Sequence, residues 1–469
     1  MNAERDTICA IATGTGNAGI GIVRLSGPES VEIADRLFRG KRRLSDLATY
    51  TAAFGRLVSP QEERPIDEVI ALVMRAPRTY TTEDVVELSC HGGSLVLRRV
   101  LEALVKAGAR LAEPGEFTKR AYLGGRIDLS EAEAVMDIVA AENDQALSAA
   151  LHQLKGSLRT AVMQLREKLL YETAYIESAL DDPENYSLEG YRERITGVLD
   201  EVQEEIRHLT AGAEEGRLLR QGIRTAIIGR PNAGKSSILN LLLGEERAIV
   251  TDIAGTTRDI LEERALLGGL PLVLIDTAGI RDTDDVIERI GVERAKREVE
   301  GADLILYILD ASEALTEEDA AILEGVPEQV PVVALLNKQD LTVVLTKEEV
   351  GRFLQESFPE TAPEHHVIEI SAVTGEGREQ LRDVLQSMFF EGKLSENEEK
   401  YLLNTRHLEA LHLVSEALDR VRDSVDAGVG EDFYTIDLLA AYEALGRITG
   451  ETLEDDLADK IFAEFCMGK

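Results

Sequence analysis

The feature that most restricts how this chain can fold is the run Gly229-Arg-Pro-Asn-Ala-Gly-Lys-Ser236. It leaves an apolar strand pattern, Thr225-Ala-Ile-Ile228, and enters a helical one, Ser237-Ile-Leu-Asn-Leu-Leu-Leu243. A glycine-framed loop between a strand and a helix N-terminus turns successive backbone N–H groups inward at the positive end of the helix dipole, which makes a phosphate cradle. Lys235 can reach the outer phosphates and the Ser236 hydroxyl can ligate Mg²⁺. Asn232, Ala233, Gly234 and Ser237 complete the expected contact set. The surrounding domain is predicted to be a P-loop domain of the Ras-like kind, built on a mostly parallel sheet.

Partners downstream select the nucleotide. Asp276-Thr-Ala-Gly279 closes the apolar run Leu272-Val-Leu-Ile275 and has the D-x-x-G form, with Asp276 serving Mg²⁺ through water and the Gly279 N–H meeting the γ-phosphate. Thr277 and Ala278 lie between them. Asn337-Lys338-Gln-Asp340 closes Val332-Val-Ala-Leu-Leu336. A carboxylate at Asp340 can accept two hydrogen bonds from the guanine edge, which adenine cannot supply. Ser371-Ala372 follows Val367-Ile-Glu-Ile370 and suits the loop over the base. Four motifs in order, each at a strand end, predict a GTPase domain that binds GTP.

The mobile loop expected between the phosphate loop and Asp276 contains Gly255-Thr-Thr-Arg-Asp259. Thr257 is the candidate Mg²⁺ ligand, Thr256 faces the nucleotide, and Arg258 is counted among the catalytic candidates with Lys235. Many small GTPases follow D-x-x-G with a glutamine that orients the attacking water. Here Ile280 stands there, and an apolar side chain cannot do that work. Two substitutes are visible. The Asn232 oxygen can hold a monovalent cation beside the phosphates, and the segment Arg281-Asp-Thr-Asp-Asp-Val-Ile-Glu-Arg289 can lend a carboxylate to the water, although from the residues alone each of its acidic side chains reads more readily as a solvated loop charge.

The chain is long enough, at 469 residues, for about three domains. Its net charge of −36, from 51 Lys+Arg against 87 Asp+Glu, repels polyanions over most of the surface. The three cysteines are widely spaced and indicate neither zinc nor a disulfide framework. No charged-then-apolar export signal opens the chain, and no stretch approaches roughly 18 uninterrupted apolar residues, so a cytoplasmic protein with no membrane partner is expected.

Residues 1–120 alternate short β-like runs with glycine and proline turns and helical pieces, which predicts a compact α+β domain. Long helices follow over 121–220, opened by the capping-box signature Ser130-Glu-Ala-Glu133. The GTPase domain spans 221–389, and helical periodicity returns over 390–469. Helices on both sides of an inserted domain most simply pack together as one split helical domain. Phe389-Phe390 is expected to pack under the returning helices, and Cys9 and Cys90 to lie in strand cores. The whole is a multidomain α/β chain.

Several blocks resemble one family. They are Arg24-Leu-Ser-Gly27, Tyr80-Thr-Thr-Glu-Asp-Val-Val-Glu-Leu88 running into His91-Gly-Gly93, Pro114-Gly-Glu-Phe-Thr-Lys-Arg-Ala121, Gly125-Arg-Ile-Asp-Leu-Ser-Glu-Ala-Glu133 and Phe465-Cys-Met-Gly-Lys469. Together they resemble the TrmE-type tRNA modification GTPases (MnmE family) over essentially the whole chain. One departure is Ala12-Thr-Gly-Thr-Gly16, where the family commonly has Ala-Thr-Pro-Pro-Gly.

The resemblance implies an N-terminal domain similar to folate-dependent aminomethyl-transfer domains, which forms a homodimer and binds a tetrahydrofolate derivative (5,10-methylene or 5-formyl). Its folate positions match Arg24, Glu87, Arg126 and Lys469; read without the family, Arg24 and Glu87 are half-exposed strand residues. Arg126 stands where some members have Lys, which changes the donor geometry. The family's K⁺ is held by the residue matching Asn232 and by carbonyls of a loop that here includes Thr251, Ile253 and Thr256. Glu288 matches the catalytic Glu. With an FAD-binding partner of the MnmG type, the family adds a carboxymethylaminomethyl or aminomethyl group at carbon 5 of the wobble uridine of certain tRNAs. Cys466 has two readings, a nucleophilic thiol beside Lys469 or a small buried residue near the chain end. A regulatory GTPase without modification chemistry, and a dimeric scaffold with a purely structural folate site, are the alternative functions.

Overall fold

Period-two burial shapes the first part of the chain. In β2 (Ile20–Ser26) Val23 and Leu25 turn inward while Arg24 stays on the other face. The computed structural model describes residues 6–14, 16, 18–59, 64–244, 262–276, 299, 301–358, 365–390, 401–451, 461–462, 465 and 468, with Glu214, Glu262 and Asp276 as backbone only. Around β2 lie β1 (Ile8–Ile11), β3 (Phe38–Gly40), β4 (Thr51–Val58), β5 (Pro65–Met74), β6 (Val85–His91) and β7 (Arg110–Leu111), in the order β3-β4-β5-β6-β2-β1-β7. All neighbours run antiparallel except β1 and β7. Val31, Ile33 and Leu37 of the helix Ser30–Leu37, with Leu97, Val100 and Leu104 of Ser94–Lys106, close one core with the inward strand residues. Cys9 and Cys90 are buried in that core as expected, and burial pushes both thiols up to about 12, so neither is a thiolate at neutral pH.

The chain divides into two compact units, one comprising residues 1–139, 151–207 and 405–469, the other 140–150 and 208–404. In the first unit, the helix Ser157–Asp181 packs on Asp432–Thr449, which packs on Thr405–Asp426. Leu158, Val162, Leu165 and Leu169 of the first helix are buried, as are Leu438 and Leu445 of the second and Leu411 and Leu418 of the third. Helical segments from before and after the insertion therefore share one layer, as their periodicity predicts. At Gly115, with φ 67°, a Cβ would stand 2.5 Å from the Phe462 carbonyl, so only glycine admits this approach of the C-terminal segment.

The expected cap at Ser130 is corrected by the structure. Helix Leu129–Ala140 is capped two residues earlier: Glu131 N donates to Asp128 Oδ1 at 2.8 Å, and Asp128 N donates to Glu131 Oε2 at 2.8 Å. Glu133 is instead 2.7 Å from Arg406 Nη2 and 2.9 Å from His407 Nε2, tying two segments 273 residues apart. Burial alone would raise the Glu133 carboxyl, but the His407 and Arg406 charges hold it at about 2. Its folded value lies below the ordinary 4.5. The ionised form therefore stabilises the fold above that pH, and the contribution is lost as the pH falls from 4.5 toward 2. Glu133→Gln is expected to cost on the order of 3 kcal/mol at neutral pH, with the difference from the parent shrinking as the pH is lowered through this window. Thermal unfolding at several pH values checks it, and a difference that ignores pH would remove the ion pair from the account.

The second unit carries β8 (Ile223–Ile228), β9 (Glu262–Leu267), β10 (Leu270–Asp276), β11 (Leu304–Asp310), β12 (Val332–Asn337) and β13 (His366–Glu369), in the order β13-β12-β11-β8-β10-β9. β9 alone is antiparallel. Every residue of β11 and β12 is buried, as strands covered on both faces require. The Phe389-Phe390 expectation is overturned. Phe390 sits in this unit's core with Leu381 and Leu385, and Phe389 packs against the same cluster.

Candidate functional site

The loop after β8 turns into the helix Lys235–Leu243 through left-handed backbone at Asn232 (φ 64°) and Gly234 (φ 101°). A Cβ at Gly234 would overlap the Asn337 amide, so the cradle is open there only because the residue is glycine. Ala233 is buried, whereas Asn232, Ser236 and Ser237 are exposed at the mouth of the loop. Lys235 Nζ donates to the carbonyls of Gly229 at 2.7 Å and Arg230 at 2.8 Å.

Asn337, the last residue of β12, joins three of the predicted elements. Its Nδ2 donates to the Ala233 carbonyl at 3.0 Å, and its Oδ1 accepts from the Ala372 N–H at 3.1 Å. Ser371 Oγ donates to Asp340 Oδ1 at 2.6 Å, which sets the orientation of the proposed base-reading carboxylate. Lys338, at φ 65°, places its ammonium 2.5 Å from Asp310 Oδ2. Burial would raise the Asp310 carboxyl, but Lys338 and Ser312 outweigh it and hold it below the ordinary range. The backbone of Asp276 ends β10, beside Ile227 of the parallel β8. Thr251, Ile253, Thr256, Thr257, Arg258, Thr277, Ala278, Gly279, Glu288, Cys466 and Lys469 lie outside the described residues.

A second cluster forms on the N-terminal sheet. Arg24 and Glu87 are cross-strand partners on β2 and β6. Arg24 Nε donates to Glu87 Oε1 at 2.8 Å, its Nη1 donates to the Gly468 carbonyl at 3.2 Å, and its guanidinium lies 5.6 Å from the Phe117 ring centre. Arg126 donates to the Thr79 carbonyl and stands 5.7 Å from the Tyr80 ring. Burial raises the Tyr80 phenol, while its Thr118 hydrogen bond and the charges of Arg24 and Arg126 pull it back. Arg24, Glu87, Arg126 and the C-terminal segment thus converge, with Tyr80, Phe117 and Thr118 as walls. Those three were not singled out from sequence, although each lies within a block that carries the family resemblance.

A phosphate loop on a parallel sheet, strutted from an Asn-Lys-Gln-Asp strand end, defines a P-loop GTPase that binds GTP. Family models place the rest: residues 7–126 match the GTP-binding protein TrmE N-terminus and 129–466 the MnmE helical domain. The tRNA modification GTPase MnmE of Lachnoclostridium phytofermentans is 49% identical over 469 residues, covering 99% of this chain and 100% of the relative. That of Enterococcus faecalis is 46% identical, covering 99% of each. A crystal structure of Aquifex aeolicus Era bound to GDP and aluminium fluoride aligns at 30% identity over 42% of this chain and 66% of that one, with TM-score 0.28. The chain belongs to the MnmE family of tRNA modification GTPases. It is a GTPase acting in tRNA modification, with an N-terminal domain, a helical domain and an inserted GTPase domain. Among the described residues, no helix is long and apolar enough to cross a membrane.

Proposed function

We propose that this chain, as a cytoplasmic homodimer working with an FAD-binding partner of the MnmG type, adds a carboxymethylaminomethyl or aminomethyl group at carbon 5 of the wobble uridine. The observation that carries this reading is the Arg24–Glu87 pair joined to the Gly468 carbonyl beside Arg126. A half-buried carboxylate next to two guanidiniums suits a ligand with paired N–H donors and an anionic tail, as a tetrahydrofolate derivative has. Arg24, Glu87, Arg126 and Lys469 would hold it, and the bound folate supplies the one-carbon unit. Cys466 is assigned the neighbouring thiol.

In the GTPase domain, Asn232 through Ser237 hold the phosphates with Thr251, Thr256, Thr257 and Asp276 to Gly279, while Asn337, Lys338, Asp340, Ser371 and Ala372 enclose the base. Ser236 and Thr257 are assigned to Mg²⁺. Asn232, Thr251, Ile253 and Thr256 are assigned to K⁺, which supplies positive charge where an arginine finger acts elsewhere. The exposed Asn232 on left-handed backbone is compatible with that assignment. Glu288 orients the attacking water, Lys235 neutralises the outer phosphates and Arg258 adds charge nearby. The domains are assigned to 1–120, 121–220 with 390–469, and 221–389.

One reconstitution tests the reading. The chain, its partner, unmodified tRNA, GTP and a tetrahydrofolate one-carbon donor are combined in K⁺, then in Na⁺, then without folate, and the nucleosides are read by mass spectrometry. Modified wobble uridine is expected only in the complete K⁺ arm. Product without folate would overturn the folate assignment, and equal product in Na⁺ would overturn the K⁺ assignment.

A further inference from the structure

Three backbone positions of the phosphate loop lie in the left-handed or extended-positive region: Gly229 at φ 146°, Asn232 at 64° and Gly234 at 101°. Such a turn persists only if the surrounding structure holds it. One tether, Lys235 Nζ on the Gly229 and Arg230 carbonyls, uses two of the three N–H donors of the ammonium expected to serve the phosphates as well. A second, Asn337 on the Ala233 carbonyl, acts at the far side of the loop.

The third tether lies outside the loop. Arg230 reaches back so that its Nε is 3.1 Å from Asp319 Oδ1, with Nη2 3.2 Å from Glu313 Oε2. Asp319 is fully buried. The same Oδ1 accepts from the Tyr307 hydroxyl at 2.9 Å, and Oδ2 accepts from the Thr316 N–H at 2.9 Å and its hydroxyl at 3.0 Å. Burial first, then the Asp319 charge, raises the Tyr307 phenol, so it remains a donor. Tyr307 lies in the middle of β11, and at its neighbour Ile308 the carbonyl stands against Gly229 so closely that a Cβ there would overlap it. The carboxylate is thus fixed by the sheet and by the cap of the helix Glu317–Leu323. Its one cationic partner among the described residues is Arg230.

We propose that Arg230 is a positioning residue of the phosphate loop, anchored on the buried Asp319, which keeps the cradle shaped for GTP alongside the Lys235 and Asn337 tethers. The Glu313 contact contributes little, because that carboxylate is exposed. Arg230 touches no phosphate in this account. It acts through the backbone of Gly229 to Asn232, two residues from the asparagine assigned to the cation.

Nucleotide affinity separates this role from a merely structural one. Arg230→Met in the full-length protein is expected to weaken binding of a fluorescent GTP analogue about ten-fold, in the range of ordinary coupling between sites. The unfolding midpoint of the nucleotide-free protein should fall as well, because the fully buried Asp319 carboxylate loses its cation. A merely structural role would lower the midpoint alone and leave the affinity of the folded protein unchanged, so affinity measured well below the midpoint is the deciding readout. Arg230→Lys keeps the charge without the forked geometry and should fall between parent and Arg230→Met. Should Arg230→Met fail to fold, Arg230→Lys against the parent still decides the matter. In a double-mutant cycle, Asp319→Asn should cost little further affinity once Arg230 is Met. Additive losses, or parental affinity in both Arg230 variants, would overturn the proposal.

Discussion

Asp340→Asn is expected to turn the nucleotide preference from GTP to XTP. In the proposed base site guanine presents its N1–H and its 2-amino group to Asp340, where a carboxylate can accept from both. An asparagine accepts once and donates once, which leaves the 2-amino group facing a donor. Xanthine keeps the N1–H and replaces the amine by a carbonyl, so it matches the amide. The structure also says which way that amide will lie. Ser371 Oγ donates to Oδ1 of Asp340 at 2.6 Å, so the amide oxygen takes that place and the nitrogen turns to the base. A site built around such hydrogen bonds rejects the mismatched partner by about four orders of magnitude. Competition of GTP and XTP for the variant reads the ratio directly, and retained GTP preference would mean that Asp340 does not read the base.

Arg24→Ala should separate the two chemistries of the protein. The substitution leaves the Glu87 carboxylate without its 2.8 Å partner and frees the Gly468 carbonyl. Truncating one member of a hydrogen-bonded charge pair in a binding site costs about 2–5 kcal/mol. The pair is partly exposed, which favours the lower end, so affinity for 5-formyltetrahydrofolate should drop about thirty-fold or more. Modified wobble uridine should be lost in the reconstituted reaction, while GTP turnover measured without folate stays near the parent value. Calorimetry with the folate and mass spectrometry of the nucleosides give the two readouts. Unaltered folate binding would remove Arg24 from the site, and Arg24→Lys should recover part of the loss.

The nucleotide site was legible in the sequence because each of its motifs ends an apolar strand, and strand ends are where a parallel sheet presents its loops. What the sequence concealed is long-range. Two acidic capping patterns overlap at the start of the helix Leu129–Ala140, Asp128 to Glu131 and Ser130 to Glu133. Local pattern cannot choose between them when the competing partners of Glu133 are Arg406 and His407. Phe390 continues the inward face begun by Leu381 and Leu385, so its place in the GTPase core follows from periodicity once the helix is taken as one piece. Arg230 fits the loop motif as a neutral filler position, and nothing in the motif points to Asp319.

The contact between Arg24 and the Gly468 carbonyl has a consequence for the order in which the protein is made. The two residues are separated by 444 positions. A ribosome delivers the N-terminal sheet first, and domains generally fold as they emerge. The sheet can close around its own core long before residue 468 appears. Its Arg24–Glu87 pair forms with that sheet, but the Gly468 carbonyl that joins the pair waits for the whole GTPase domain and the returning helices to be synthesised. A chain cut short anywhere in between would carry a complete sheet and an unfinished site. Loss of the C-terminal segment alone would leave the Arg24–Glu87 pair without its third partner while the GTPase domain is already made.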